Sequence, residues 1–364
     1  MLKRVSIQNF KSLKDVTLDL QKVNLLIGPN NSGKSNFLKA LEYMTKLNAN
    51  TVELDYKNLV FSKDELYEIK IELVEESKLL NHERYFLCTI NDNLTVHKQR
   101  GTQMNDGIVY SDPSTYDVNH TINFIGNLII YKPDPNKIIA PGPVGIGQEF
   151  VNSDASNLVG FLDLLLGKYR KSNFQRIEAD LKTCLPEFSE INLEDYQLTE
   201  NIDEKIVGKS FKRIGLSAVD RGTIYWADEL SEGTLYFLAL LCIINQPNPP
   251  KLLLLEEPEK GIHPRRIWEV MKFIFQLAEE KDIQIILTTH NEHVVNAFSS
   301  IPEAVFVFDK DEEGATHVRN LQRDIIDVSN KKSEENGFDP IDFTSDLGKS
   351  WLYGLIGGVP EENI

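Results

Sequence analysis

Chemistry in this chain begins at Gly28-Pro29-Asn30-Asn31-Ser32-Gly33-Lys34-Ser35. Glycines at the two ends of such a loop let the backbone wrap until consecutive N–H groups face anionic oxygens, and a helix opening behind it adds partial positive charge. In the pattern G-x-x-x-x-G-K-[ST], the lysine reaches the β- and γ-phosphates of a nucleotide and the Ser/Thr hydroxyl ligates Mg²⁺. The candidate nucleotide contacts are therefore Gly28, Pro29, Asn30, Asn31, Ser32, Gly33, Lys34, Ser35 and the adjoining Asn36. A chance glycine turn is the bland alternative. It is opposed by the context, an apolar run Val23 to Ile27 before the loop and a helical pattern from Lys34 to Leu47 after it.

Three further segments carry candidate groups. Leu252 to Leu255 runs into Glu256-Glu257-Pro258, 222 residues after Lys34. Strand alternation sends the two carboxylates to opposite sides, which gives them different tasks: Glu256 in the Mg²⁺ shell, and Glu257 as the base that orients and deprotonates water. Leu230-Ser231-Glu232-Gly233-Thr234 opens an apolar helix, with Ser231 and Gly233 placed at a second anion-binding helix end or, more plainly, at an ordinary N-cap. His290 follows the apolar strand Ile283 to Leu287, 33 residues after Glu257, where it can bond a γ-phosphate. Alone, each string has an ordinary structural reading; with the glycine loop, the order of all four favours catalysis.

These residues need a scaffold of strands and helices. Val5-Ile7-Phe10 and Val16-Leu18-Leu20 alternate as strands, as do residues 68–75 and 84–91, and 92–122 reads as a surface excursion bearing a hairpin. A Pro/Gly-rich connector spans 131–153, a helical spacing runs from Ala155 to about Phe188, and strand-like pieces return near 206–226. The fold class expected is α/β: a P-loop head with a mixed N-terminal sheet lobe, a parallel-sheet core and an inserted helical subdomain. The boundaries expected are 1–135 for the N-terminal lobe, 154–215 for the helical subdomain, 216–310 for the C-terminal lobe and 311–364 for an acidic segment.

Composition bounds the partners. The 364 residues carry a formal charge of −16, with 41% hydrophobic and 26% charged residues, as in a globular protein. Residues 1–48 balance to +5 and residues 302–364 to −8, so a basic face is local and the global field does not favour nucleic acid. Three widely spaced cysteines make neither a disulfide framework nor a zinc site. The longest apolar run, Leu235 to Ile244, is shorter than the ~18 residues of a membrane span, and the start lacks a signal-peptide stretch. The expectation is a cytoplasmic protein without a membrane partner.

Together, GPNNSGKS, LSEGT, LLLLEEPEKGIHP and ILTTH resemble the ABC-type ATPase superfamily, in its soluble branch with the SMC, RecF and OLD families. Ile7-Gln8-Asn9-Phe10-Lys11-Ser12-Leu13, Asp154-Ala155-Ser156-Asn157-Leu158 and Trp351 to Pro360 extend the likeness to stand-alone bacterial ATPases over nearly the whole chain. The resemblance implies a homodimer closed around ATP and Mg²⁺. Lys34, Ser35, Glu256, Glu257 and His290 would act in cis, and Ser231 and Gly233 from the partner. Three departures stand out: Glu256 in place of the usual Asp, Glu232 inside the signature, and no glutamine suitably placed after a strand in 60–135. Asp309-Lys310-Asp311 reads as a hairpin, so no nuclease of the Toprim type is expected.

The leading expectation is an ATP-driven switch controlling a separately encoded effector, a nuclease or toxin, in an anti-phage or toxin–antitoxin-like system. The alternative is a RecF-like repair ATPase that clamps DNA through residues 1–48 or Lys205, Lys209, Lys212 and Arg213, and nucleic acid stays open as a partner. A third reading is a nucleotide-locked scaffold with very slow hydrolysis.

Overall fold

A computed structural model describes residues 1–46, 61, 69–77, 82–90, 96–104, 107–111, 128–145, 147–197, 210–220 and 222–360. The chain forms two compact units, one from residues 1–130, 251–258 and 275–364, the other from 131–250 and 259–274.

The first unit opens with β1 (Leu2–Phe10), β2 (Leu13–Asp19), β3 (Val23–Ile27) and α1 (Lys34–Lys46). Every second or third residue of β1 and β2 is buried, whereas all five residues of β3 are, the mark of a strand covered on both faces. β1 and β2 join β4 (Ile69–Ser77), β5 (His82–Ile90), β6 (Val96–Met104) and β7 (Gly107–Ser111) in an antiparallel sheet, order β2-β1-β4-β5-β6-β7. The hairpin expected within 92–122 is β6–β7.

A second sheet has the order β16-β15-β3-β14-β13-β8. Here β8 is Ile130–Tyr131, β13 Leu252–Glu256, β14 Gln284–Thr288, β15 Val305–Lys310 and β16 Thr316–Asn320. β13, β14, β3 and β15 run parallel, and β16 closes the edge antiparallel through the hairpin expected at Asp309 to Asp311. Parallel packing aligns the strand ends, so the loops after β3, β13 and β14 emerge on one edge.

The second unit contains α2 (Pro135–Ile139), β9 (Gly142–Pro143), α3 (Leu158–Lys168), α4 (Gln175–Cys184), β10 (Phe188–Tyr196), β11 (Phe211–Ala218), β12 (Ile224–Trp226) and α5 (Glu232–Ile244). From Thr234 to Ile244 every residue of α5 is buried, which explains an apolar run with no polar face. α6 (Pro264–Glu280) carries the chain back to the first unit, where α7 (Glu292–Asn296), α8 (Asp327–Glu335) and α9 (Leu347–Leu352) follow.

Two expected boundaries are corrected. Residues 154–215 are helical only to Cys184; Phe188–Tyr196 is a strand. The helical spacing read from Ala155 ends at about Phe188, and the strand begins there with a register shift against β11 between Phe188 and Glu190. The expected C-terminal lobe 216–310 is also divided: residues 216–250 and 259–274 belong to one unit, 251–258 and 275–310 to the other. The cause is that β13 pairs with β14, and β14 with β3, so the chain must leave the α5 unit to complete the parallel sheet. The acidic 311–364 segment supplies β16 to that sheet.

Candidate nucleotide site

The glycine loop is shaped by its neighbours. At Gly28, φ is +147°, and a Cβ there would lie 2.3 Å from the Phe308 carbonyl; at Gly33, φ is +109° and a Cβ would lie 2.2 Å from Thr316 Oγ1. Only glycine fits either place. Thr316 donates to the Ser32 carbonyl (2.9 Å) and lies 2.8 Å from Ser12 Oγ, which also accepts from Asn36 Nδ2 at 2.9 Å. A strand 280 residues downstream thus clamps the loop onto the first hairpin. Asn36, expected among the nucleotide contacts, has its amide on Ser12. Ser12 was visible in the opening motif, but Thr316 has no sequence signal, because its role depends on β16 reaching the sheet edge.

Lys34 Nζ is buried and donates to the carbonyls of Gly28 (2.7 Å) and Pro29 (2.8 Å). Burial pulls this ammonium down to about 8, against the opposing pull of the Glu257 and Glu256 charges. Ser35 Oγ donates to Glu256 Oε1 at 2.7 Å. The extra methylene of Glu256, compared with Asp, therefore still lets the carboxylate meet the hydroxyl.

β13 ends at Glu256, so strand alternation does not direct Glu257, which corrects the sequence argument. Glu257 sits in left-handed backbone, φ +52°, and its N–H donates to the Thr288 carbonyl at 3.1 Å. Non-glycine residues rarely occupy that region, and such strain clusters at functional sites. The turn leaves Glu257 Oε1 3.9 Å from His290 Nε2, with both side chains about one-third exposed. Ser35, Glu256, Glu257, His290 and Lys34 all belong to the first unit. The structure brings all five to the loops after β3, β13 and β14.

Ser231 and Gly233 belong to the second unit. Ser231 is the N-cap of α5, its Oγ accepting from Thr234 N at 3.1 Å. A Cβ on Gly233 would lie 2.8 Å from the Gly261 carbonyl, so this glycine lets the helix start press against the turn Gly261-Ile262-His263. Asp154-Ala155-Ser156-Asn157 is a tied turn: Ala155 has φ +60°, Asp154 accepts from Ser156 N and from Lys137 Nζ, and Asn157 Nδ2 donates to the Phe150 carbonyl. The aspartates of Asp309-Lys310-Asp311 are occupied within the hairpin, Asp309 by Arg319 and Asp311 by His317, both at 2.8 Å.

Mg²⁺ is tested by the donor set. Ser35 Oγ and Glu256 Oε1 are hard oxygens beside the phosphate loop, and no group of three or more His, Cys, Asp or Glu forms a cage among the described residues. Mg²⁺ in nucleotide sites takes one or two protein oxygens and completes its shell with phosphates and water. The residues present fit it.

This fold and site define an ABC-type ATPase of the SMC and RecF kind, and comparison with known proteins agrees. The family model described as "AAA domain, putative AbiEii toxin, Type IV TA system" matches residues 23–83 and 112–296, and the chain belongs to that family. A Helicobacter pylori protein named "ATP/GTP phosphatase" is 21% identical over 336 residues, covering 83% of this chain and 88% of its own. The DNA replication and repair protein RecF of Halothermothrix orenii is 22% identical over 56% of this chain, which spans about half of RecF, 48%. Among solved structures, the Smc head domain with an extended coiled coil, bound to the C-terminal domain of ScpA, from Pyrococcus furiosus, shares the fold with a TM-score of 0.57 at 14% identity. It covers 92% of this chain and 99% of its own. Among the described residues no helix is long and apolar enough to cross a membrane.

Proposed function

We propose that this ATPase is a molecular switch that pairs as a homodimer around ATP and controls a separately encoded effector, a nuclease or toxin, in a defence or toxin–antitoxin-like system. The observation that carries the catalytic part is Glu257 held beyond the strand end in left-handed backbone, 3.9 Å from His290, beside the Ser35–Glu256 pair. Backbone N–H groups of Gly28 to Ser35 and the Lys34 ammonium bind the phosphates. Ser35 and Glu256 would hold Mg²⁺, which would supply charge neutralisation at the phosphate oxygens. Glu257 accepts the proton of the attacking water as its oxygen bonds to the γ-phosphorus and the bond to ADP breaks. His290 donates to the γ-phosphate. Ser231 and Gly233 of a second copy complete the site, and hydrolysis releases that copy.

Support for an effector is the family's toxin–antitoxin description. The test is purification of the Glu257→Gln protein from its native cells in ATP and Mg²⁺. A stoichiometric neighbour with nuclease or toxin activity is expected; DNA or the homodimer alone would overturn the effector reading.

The RecF relative supports a second reading, direct clamping of DNA. Of its basic cluster, Lys205 and Lys209 lie outside the described residues. Lys212 is paired with Asp163 at 2.6 Å, while Arg213 is paired with Glu194 at 2.5 Å and stacked on Trp226. In residues 1–46, Arg4 is paired with Asp19 and Lys22 with Asp282. These engaged cations favour the effector reading. A DNA affinity falling with salt at a slope of about −0.9 per phosphate contacted would reverse that preference.

A further inference from the structure

The C-terminal segment touches the glycine loop and the helix that follows His290. α9 packs on α7, the helix that starts two residues after His290. Gly348 N donates to Asn296 Oδ1 at 2.8 Å, and a Cβ on Gly348 would lie 2.5 Å from the Glu292 carbonyl. Beyond α9 the chain turns at Gly354, Gly357 and Gly358, all with positive φ. Trp351 Nε1 donates to the Gly358 carbonyl (2.9 Å), Gly358 N donates to Asp309 Oδ1 (3.1 Å), and a Cβ on Gly358 would lie 3.5 Å from Gly28 Cα. Trp351 is thereby buried, yet Leu352, Tyr353 and Leu355 beside it are 58%, 71% and 61% exposed. Three large apolar side chains held outward on a rigid turn are an unusual expense for a surface that meets only water.

The second unit holds a matching concavity. A cavity of about 350 Å³ opens beside Ser231 and Gly233, with apolar walls from Leu185, Phe188, Tyr225, Phe237, Ile262 and Val270. Its charged groups lean negative: Glu187, which is paired with Arg266 at 2.7 Å, Glu229 and Glu269. Carboxylates at an apolar mouth suit the hydroxyl of Tyr353; Lys349, one turn before it, is already paired with Asp346 at 2.7 Å.

We propose that the Leu352-Tyr353-Leu355 knuckle of one copy docks into the cavity beside Ser231 of a second copy. The inference rests on the ATP-dimer reading above. The occupant follows from placement: the knuckle is fastened to Gly28 and to the helix behind His290, and the cavity flanks the serine assigned to the same phosphate from the other copy. A pairing that brings Ser231 to the partner's glycine loop would carry the cavity towards the knuckle. A two-fold axis makes the contact twice. Nucleotide closure and knuckle insertion are then one event, because the knuckle's anchors, Asn296 on α7 and Asp309 on β15, adjoin the loops assigned to the phosphates.

The test mixes two singly substituted proteins, each also carrying Glu257→Gln: Y353C on the knuckle and Y225C on the cavity wall. A short bis-maleimide is added at neutral pH with Mg²⁺, with and without ATP. Cys184 also lines the cavity, so both proteins carry Cys184→Ser, together with Cys88→Ser, to leave the introduced thiols as the reactive pair. The expected result is at least tenfold more cross-linked pair in the mixture with ATP than without, and none in either protein alone. L352E, an exposed change that leaves the circular dichroism spectrum intact, should weaken ATP-dependent pairing at least tenfold by light scattering. If dimers form with ATP but neither the cross-link nor the L352E effect is seen, the knuckle inference is overturned and the dimer reading stands. If no dimer forms with ATP at all, both fall.

Discussion

The phosphate loops of the first unit and the signature turn of the second are built on opposite principles. Around Lys34, groups from distant segments converge: the Thr316 clamp, the Ser35–Glu256 bond, and the ladder bond from Glu257 to Thr288 that holds a strained turn. Around Ser231 the contacts are fewer, a hydroxyl capping its own helix three residues on and a glycine pressed against the turn at Gly261. A site assembled from tertiary contacts is organised before substrate arrives, which is what electrostatic catalysis requires. A capped helix end is stable on its own and contributes chemistry only when another molecule is brought to it. On the proposed reading, the contrast teaches that one copy would hold a preorganised base and phosphate cradle and would present the Ser231 helix end to a second copy.

The sharpest way to break this contrast is Glu257→Gln. Removal of a general base lowers turnover by about 10²–10⁴. ATP binding should persist, since the amide keeps the side chain's size and weakens the negative charge near the phosphates. Phosphate release and equilibrium ATP binding, measured together, check it; turnover within threefold of wild type would instead support the nucleotide-locked scaffold.

Gly28→Ala attacks the cradle instead of the base. The left-handed backbone alone costs an alanine about 1–3 kcal/mol, and the Phe308 carbonyl at 2.3 Å forces a further shift of the loop. We expect a lowered Tm and loss of ATP binding together, by thermal melts with and without nucleotide. Normal binding would mean that the loop has more freedom than its contacts imply.

Ser231→Ala separates the two roles of the signature serine. Losing the cap costs about 1 kcal/mol of stability. Turnover should fall at least tenfold, beyond what that small instability produces at a temperature well below the melt. A stability loss with unchanged turnover would reduce Ser231 to a cap and remove the asymmetry between the units.

Legibility from sequence followed the same division. The glycine loop, the carboxylate pair and His290 were readable because each is a local string at the end of an apolar run, and parallel packing gathers such ends on one edge. The order of strands in the sheet was not readable, since β15 pairs with β3 across nearly the whole chain. For that reason Thr316 and Gly358 escaped notice as supports of the loop. The helical spacing was readable to about Phe188, where the strand β10 begins, and the expected subdomain boundary at 215 ran past that point. Glu257 was assigned a role for the wrong geometric reason, as a strand residue, when a left-handed turn aims it.

The smallest effect lies in the second unit, at the turn that the Asp154-Ala155-Ser156-Asn157 string encodes. Burial by itself would raise the Asp154 carboxyl, but hydrogen bonds from Lys137 and Ser156 outweigh it and hold the pKa at about 2, below the ordinary 3.8. Because the folded value is the lower one, the carboxylate's stabilisation is complete above 3.8 and fades as pH falls through 2. The pair is part exposed, so screening reduces the contribution to about 1 kcal/mol. Asp154→Asn should lower stability by that amount at pH 7, while its amide oxygen still accepts from Ser156 N. The gap from wild type should shrink by more than half at about pH 2.5, measured by urea melts at both pH values. A gap that persists in acid would mean that the turn depends on side-chain shape and hydrogen bonding, without the Lys137 charge. Ser156 and the left-handed Ala155 would then be the residues that set the start of α3.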